Sequence, residues 1–221
     1  VNEKNLVGHG KTKDNFKPWL AFLTYKPVAG LTLDAGLLWA NFGERPVTIL
    51  NPHITRGVLF TANPVAMAGA RGTYDAGVAK VYVGTGKVGA QLMKPLYDIF
   101  NVTPNTYIEA GITSNLKQMG LPVDVGLHMY NESGGRDIYA LTVGGDLGIV
   151  SLGLEVNYFK ADDALKPNGI DSNAWGAALC ANVKPMANVQ IPVRIEYADA
   201  KKSLLIPTIA DLVGGNKNNV W

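Results

Sequence analysis

At 221 residues and 23.6 kDa, the chain has room for one large β domain or two small ones. A formal charge of +2, a pI near 8.5 and no basic cluster beyond Lys201-Lys202 argue against a surface that tracks nucleic-acid phosphates. Only 17% of the residues are charged, fewer than in an average soluble domain, and no apolar run reaches the roughly 18 residues of a membrane-spanning helix.

In chain order, a weak alternation over 16–26 comes first. In "LTLDAGLLW", Leu31, Leu33, Ala35, Leu37 and Trp39 share one face, and Thr32, Asp34, Gly36 and Leu38 the other. Such period-two patterning marks a strand with one dry and one wet face. Weaker strands are predicted at 67–74, 78–83, 87–93 and 106–113. In "VDVGLHMY", Val123, Val125, Leu127 and Met129 oppose Asp124, Gly126, His128 and Tyr130. Tyr139, Leu141 and Val143 oppose Ala140, Thr142 and Gly144. In "VSLGLEVNYF", Val150, Leu152, Leu154, Val156 and Tyr158 alternate with Ser151, Gly153, Glu155 and Asn157. The runs 175–183 and 189–197 repeat the pattern. Pro192 interrupts the second; it removes a ladder donor and predicts a bulge.

Between these runs lie "YKPVAG", "ESGGRD", "GGDLG" and "VKPMAN", which read as hairpin connectors between antiparallel neighbours. Longer irregular pieces fall at 43–65, 160–172 and 199–219. No linker or composition shift divides the chain. The expectation is one all-β domain over 1–221, with about ten to twelve strands, many near the 9–11 residues of a tilted transmembrane strand. The opening "VNEKNLVGHGKTKDN" has no initiator Met and no hydrophobic leader, and "GGNKNNVW" closes the chain. Both ends suggest a processed chain or a fragment, incomplete at both ends.

Two features point the dry face at lipid. The wet face alternates glycine and small residues with Asp34, Arg71, Glu109, Asp124, His128, Glu155, Arg194 and Glu196, as a water-holding barrel lumen does. Aromatic residues, namely Trp19, Tyr25, Trp39, Phe42, Tyr130, Tyr158, Phe159, Trp175 and Tyr197, gather towards strand ends, where an interfacial girdle would lie. Hydrocarbon offers no hydrogen-bond partners, so strands cross it only when closed edge to edge. The expected fold is therefore an antiparallel up-and-down transmembrane β-barrel, or part of a larger one.

Residues 31–74 carry Phe42-Gly43-Glu44, Arg56, Leu59-Phe60, Pro64 and then Gly69 through Thr73-Tyr74. This segment resembles a β-barrel porin family of Gram-negative outer membranes, in which an aromatic-Gly-Glu turn leads into a loop bearing Arg-x-x-Leu-Phe. The resemblance implies an outer-membrane barrel acting as a passive pore. Members of that family tend to be longer than this chain.

Competing motifs are weaker. Gly84-x-Gly86-x-x-Gly89, with Glu109 about twenty residues on, has the spacing of a dinucleotide-binding βαβ unit. The helix it needs would carry Pro95 in its interior, at a cost of about 3 kcal/mol. Lys87 is followed by Val88 rather than Ser or Thr, which removes the P-loop reading. His9, His53 and His128 share no ligand spacing, Asp162-Asp163 with Asp171 lacks the EF-hand pattern, and the single Cys180 reads as an inert packed thiol. No catalytic, cofactor or metal residue is predicted.

The functional expectation is a diffusion channel for small hydrophilic solutes or ions, seated in the lipid bilayer of a Gram-negative outer membrane. The eight charged and polar residues named above would line it, with Arg71 and Arg194 facing Asp34, Asp124, Glu155 and Glu196. The loop at 43–65 could fold inward as a constriction. Homo-oligomers, by analogy trimers, or an envelope-protein partner are the expected assemblies. A non-conducting scaffold barrel and a soluble dinucleotide-dependent enzyme are the alternative classes.

Overall fold

The computed structural model describes residues 21–41, 59, 62–64, 66–87, 106–161, 173–199 and 219–220. These residues form one antiparallel meander in which each strand pairs with the next in sequence. Its strands are β1 (Ala21–Val28), β2 (Leu31–Trp39), β3 (Ala66–Asp75), β4 (Ala79–Lys87), β5 (Thr106–Asn115), β6 (Val123–Glu132), β7 (Arg136–Asp146), β8 (Val150–Ala161), β9 (Asn173–Met186), β10 (Val189–Asp199) and the short β11 (Asn219–Val220). A single 3-10 turn over Leu116–Met119 links β5 to β6. Among the described residues the sheet runs from β1 to β11 without pairing back on itself.

Alternation assigns the two faces as the sequence leads one to expect. Leu152, Leu154, Val156 and Tyr158 of β8 share a face with Leu127, Met129, Leu141, Leu179 and Ile195, and this face is exposed; Ile195 is 65% accessible. The opposite face carries Arg71, Glu109, His128 and Glu155, all buried, Glu109 completely. A soluble sandwich would bury the apolar side and wet the charged one. The reverse arrangement is that of a sheet whose solvent is hydrocarbon.

The connections are sorted by length. At one end of the sheet lie residues 29–30, 76–78, 116–122, 147–149 and 187–188; at the other lie 40–65, 88–105, 133–135, 162–172 and 200–218. Four long connections thus share an end, the asymmetry of outer-membrane barrels with short periplasmic turns and longer outer loops. The β1–β2 turn is only Ala29-Gly30, and it closes because Gly30 adopts a φ of +80°.

Proline acts differently from the expectation at Pro192. That residue pairs with Asn182 in regular register, and the bulge lies on the facing strand, where three steps from Val183 to Met186 on β9 oppose two from Ile191 to Val189. The extra residue sits at Lys184-Pro185. A second bulge lies between Tyr25 and Val28, at Lys26-Pro27. Beside Pro192 the outer edge of β10 meets no described strand, since β11 pairs only with Ala198 and Asp199, so the ladder there does not require the missing N–H.

The predicted strands at 67–74, 78–83 and 106–113 are present, each extended at one or both ends; 16–20 and 88–93 lie outside the described residues. The βαβ reading of Gly84 and Gly86 is overturned. Both are interior residues of β4, which pairs antiparallel with β5, whereas a dinucleotide unit needs parallel strands around a helix. Gly89 lies outside the described residues.

The aromatic girdle is also partly reassigned. Tyr130 and Phe159 are fully buried on the polar face. Trp19 and Phe42 lie outside the described residues. A lipid-facing aromatic row does run across adjacent strands at the long-loop end: Tyr139 opposite Tyr158, Tyr158 opposite Trp175, and Trp175 diagonal to Tyr197. Ring centroids are 6.4 Å apart for Tyr139 and Tyr158 and 5.0 Å for Trp175 and Tyr197. Rings that are apolar in body and polar at the tip favour the headgroup level.

Candidate functional site

All eight predicted residues fall on one face, because strand register gives each the same parity. The structure joins them into groups. Arg71 on β3 reaches over β4 to Glu109 on β5, with Nε and Nη2 each 2.7 Å from Oε1. Two strands apart, their backbones are separated by roughly 9–10 Å. Gly84 lies between them, and a Cβ there would approach Glu109 Oε1 to 2.6 Å. The remaining Arg71 donors bind Asn41 Oδ1 at 3.0 Å and the Trp39 carbonyl at 2.5 Å. The guanidinium also stands 5.7 Å from the Tyr82 ring centroid, a cation–π distance.

The same device recurs one row on. Tyr82 on β4 crosses Gly111 of β5 to meet His128 on β6, hydroxyl to Nδ1 at 3.0 Å. His128 Nε2 lies 3.2 Å from Thr142 Oγ1 on β7. In a third row Tyr107 covers Gly86 and Gly69, and its ring stacks on Tyr130 at 5.5 Å and 26°. Glycine on the wet face is therefore floor space: it lets long side chains lie across neighbouring strands.

Glu155 accepts hydrogen bonds from the Asn157 amide at 2.7 Å and the Asn63 amide at 3.1 Å, and Asn157 donates to Asn63 Oδ1 at 3.2 Å. Asn63 follows β2 and precedes β3 in the chain, yet it sits against the polar face of β8, five strands from β3. Leu59 of the same connection sits against Gly176 of β9. Leu59, Ala62 and Met67 pack with Tyr107, Tyr130, Ile138 and Phe159 into the apolar cluster of this face. That packing accounts for the burial of Tyr130 and Phe159.

Asp34 stands opposite Arg71 in register, while its carboxylate accepts the Thr24 hydroxyl at 2.5 Å. Arg194 lies 3.5 Å from Glu196 on its own strand. Asp124 opposes Asn115 and Gly144. At the short-turn end Asp75 accepts the Gly77 N–H at 2.8 Å and lies 3.2 Å from Lys80. The Gly77 amide, and then the Lys80 ammonium, hold its carboxyl below the usual carboxylate range.

The sequence reading missed Tyr82, Asn63, Asn157, Thr142 and the buried pair Glu132–Arg136, whose charges are 3.7 Å apart with Arg136 above the Phe159 ring at 6.0 Å. Asn157 was discoverable, since it alternates with Glu155. So was Arg136, which faces Glu132 once the "ESGGRD" hairpin is closed. Among the described residues no group of His, Cys, Asp and Glu could hold a metal ion. His9, His53, Arg56, Asp162, Asp163 and Asp171 lie outside them.

No curated protein matches the sequence. Two solved Pseudomonas aeruginosa structures resemble the fold. OccD3 (OpdP) matches at a TM-score of 0.48 and 12% identity, over 82% of this chain and 43% of its own. OccK8 (OprE) matches at 0.47 and 12%, over 80% of this chain and 49% of its own. The chain thus spans less than half the length of either. The family model described as "Putative beta-barrel porin-2, OmpL-like" matches residues 4–221. With an antiparallel meander, an exposed apolar face and a charged opposite face, the chain belongs to this family of β-barrel porins of the Gram-negative outer membrane.

Proposed function

We propose that the polar face forms part of the wall of a water-filled channel through which small hydrophilic solutes or ions diffuse passively. One observation carries this reading: charged and amide side chains occupy one face from β2 to β10, while the other face is apolar and exposed. Asp34, Arg71, Glu109, Asp124, His128, Glu155, Arg194 and Glu196 are the proposed wall residues. The channel selects by size, and the wall charges bias passage electrostatically. Asn63, held against Glu155 and Asn157 of β8, stands on this polar face. No chemical step is involved.

The test is single-channel conductance of the full-length protein in a planar lipid bilayer. Stable ohmic steps support the channel. Insertion without conductance instead supports a scaffold barrel, a reading favoured by the apolar cluster that the connection builds on the polar face.

A further inference from the structure

The apolar face has unequal ends. At the long-loop end it stops sharply: one step beyond the aromatic row of Tyr139, Tyr158 and Trp175 lie Asp137, Lys160 and Asn173, paired to one another in register. Rings followed by polar groups mark the edge of hydrocarbon. At the short-turn end of β5 to β10 no aromatic residue closes the face among the described residues; Tyr25 and Tyr74 stand there only on β1 and β3. Instead the connections carry exposed apolar side chains: Met119 (68% accessible) and Leu121 within 116–122, Leu147 and Ile149 (63%) within 147–149, and Met186 beside 187–188. These three connections hold one charged residue, Lys117, of a type that reaches headgroups from a backbone set deeper.

Strand length points the same way. From Tyr158 to Val150, β8 rises only roughly 20 Å along the membrane normal, at about 3.3 Å per residue and a tilt of about 40°. The apolar band of an outer-membrane barrel is about 25 Å tall, so its lower margin falls about 5 Å past Val150, at the depth of the turns. The turn backbone suits such a place, since lipid offers polar groups no partner. The Leu121 N–H bonds to the Leu116 carbonyl at 3.1 Å, and the Leu121 carbonyl accepts the Val123 N–H at 2.8 Å. The Leu147 N–H bonds to the Val150 carbonyl at 2.8 Å, and the Ile149 carbonyl accepts the Lys184 N–H of β9 at 2.7 Å.

We infer that the short turns between β5 and β10 lie within the membrane, at the margin of the hydrocarbon. Acyl chains of the leaflet at that end cover Met119, Leu121, Leu147, Ile149 and Met186. Contact with lipid thus continues from the apolar face round the ends of the strands, and the turns do not project into water. Lipid cover of this kind is independent of whether the lumen conducts.

Two probes test this on the full-length protein in lipid nanodiscs carrying one molecule each. In the native protein, the water-soluble oxidant chloramine-T should oxidise Met119 and Met186 several-fold more slowly than in the urea-unfolded chain. Met129, on the lipid-facing side of β6, is the protected reference. Oxidation of Met119 and Met186 at the unfolded rate, with Met129 still protected, overturns the inference. The second probe is a nitroxide on Leu147→Cys in a Cys180→Ser background. Oxygen should enhance its relaxation more than a water-soluble nickel chelate does, and the same label on Lys160→Cys, beyond the aromatic row, should show the reverse order. A preference for nickel at 147 means water, and insensitivity to both means a protein cover; either overturns the inference. If the labelled variant fails to fold, the methionine rates of the native protein decide.

Discussion

Arg71 and Glu109 stand two strands apart and still meet, because the residue between them, Gly84, has no side chain. Glu109 is fully buried and Arg71 nearly so. Removing one partner of such a pair strands a buried charge, at a cost of about 3–5 kcal/mol. Arg71→Met should therefore lower stability by that order. Arg71→Met with Glu109→Gln should recover much of the loss, because the remaining group is neutral. Gly84→Val should resemble the single variant by forcing the pair apart. Urea unfolding in detergent micelles, followed by the heat-dependent gel mobility of barrels, measures all three.

On the lipid face, position along the strand sets the cost of a charge. Leu154 lies mid-strand and is exposed, so Leu154→Arg should destabilise the folded protein in vesicles by about 2–4 kcal/mol. Val150→Arg, on the same face at the end of the strand, should cost less than about 1 kcal/mol. Equal costs at the two positions would contradict the assignment of this face to hydrocarbon.

Trp175 and Tyr197 form part of the aromatic row at the long-loop end. In a variant keeping Trp175 as the single tryptophan, lipids brominated near the headgroup should quench its emission more than lipids brominated near the acyl terminus. Trp175→Ala should cost about 0.5–1.5 kcal/mol beyond the lost burial, the worth of an aromatic pair.

Cys180 is the sole cysteine and has the register of the polar face, opposite Gly153 and Arg194. It is partly exposed. Adding a membrane-impermeant, cationic thiol reagent during recording should step the conductance down, and Cys180→Ser should abolish the response. Labelling that leaves conductance unchanged would place Cys180 away from the conducting path.

Between β2 and β3, Asn63 bonds to Glu155 and Asn157, and Leu59 sits against Gly176. Asn63→Ala removes its hydrogen bonds to the Glu155–Asn157 pair. The expected outcome is larger or more frequently fluctuating conductance steps with strand stability little changed. A conductance identical to that of the native protein would mean that this connection does not limit flow.

The sequence alone determined the strands, their order and their faces. Side chains in a strand alternate with a period of two, so "LTLDAGLLW", "VDVGLHMY" and "VSLGLEVNYF" each declare a dry side and a wet side from local information. The exposed apolar face and the charged opposite face followed from that parity. Tertiary structure decided which residues meet. Arg71 with Glu109, Tyr82 with His128, and Asn63 with Glu155 depend on register between strands and on a glycine, or a folded-back connection, lying between them. The same holds for Tyr130 and Phe159, whose place in the sequence suggests a girdle while Leu59, Ala62 and Met67 pack with them on the polar face. Period two is a property of a single strand, whereas contact across strands is a property of the sheet and of what folds onto it.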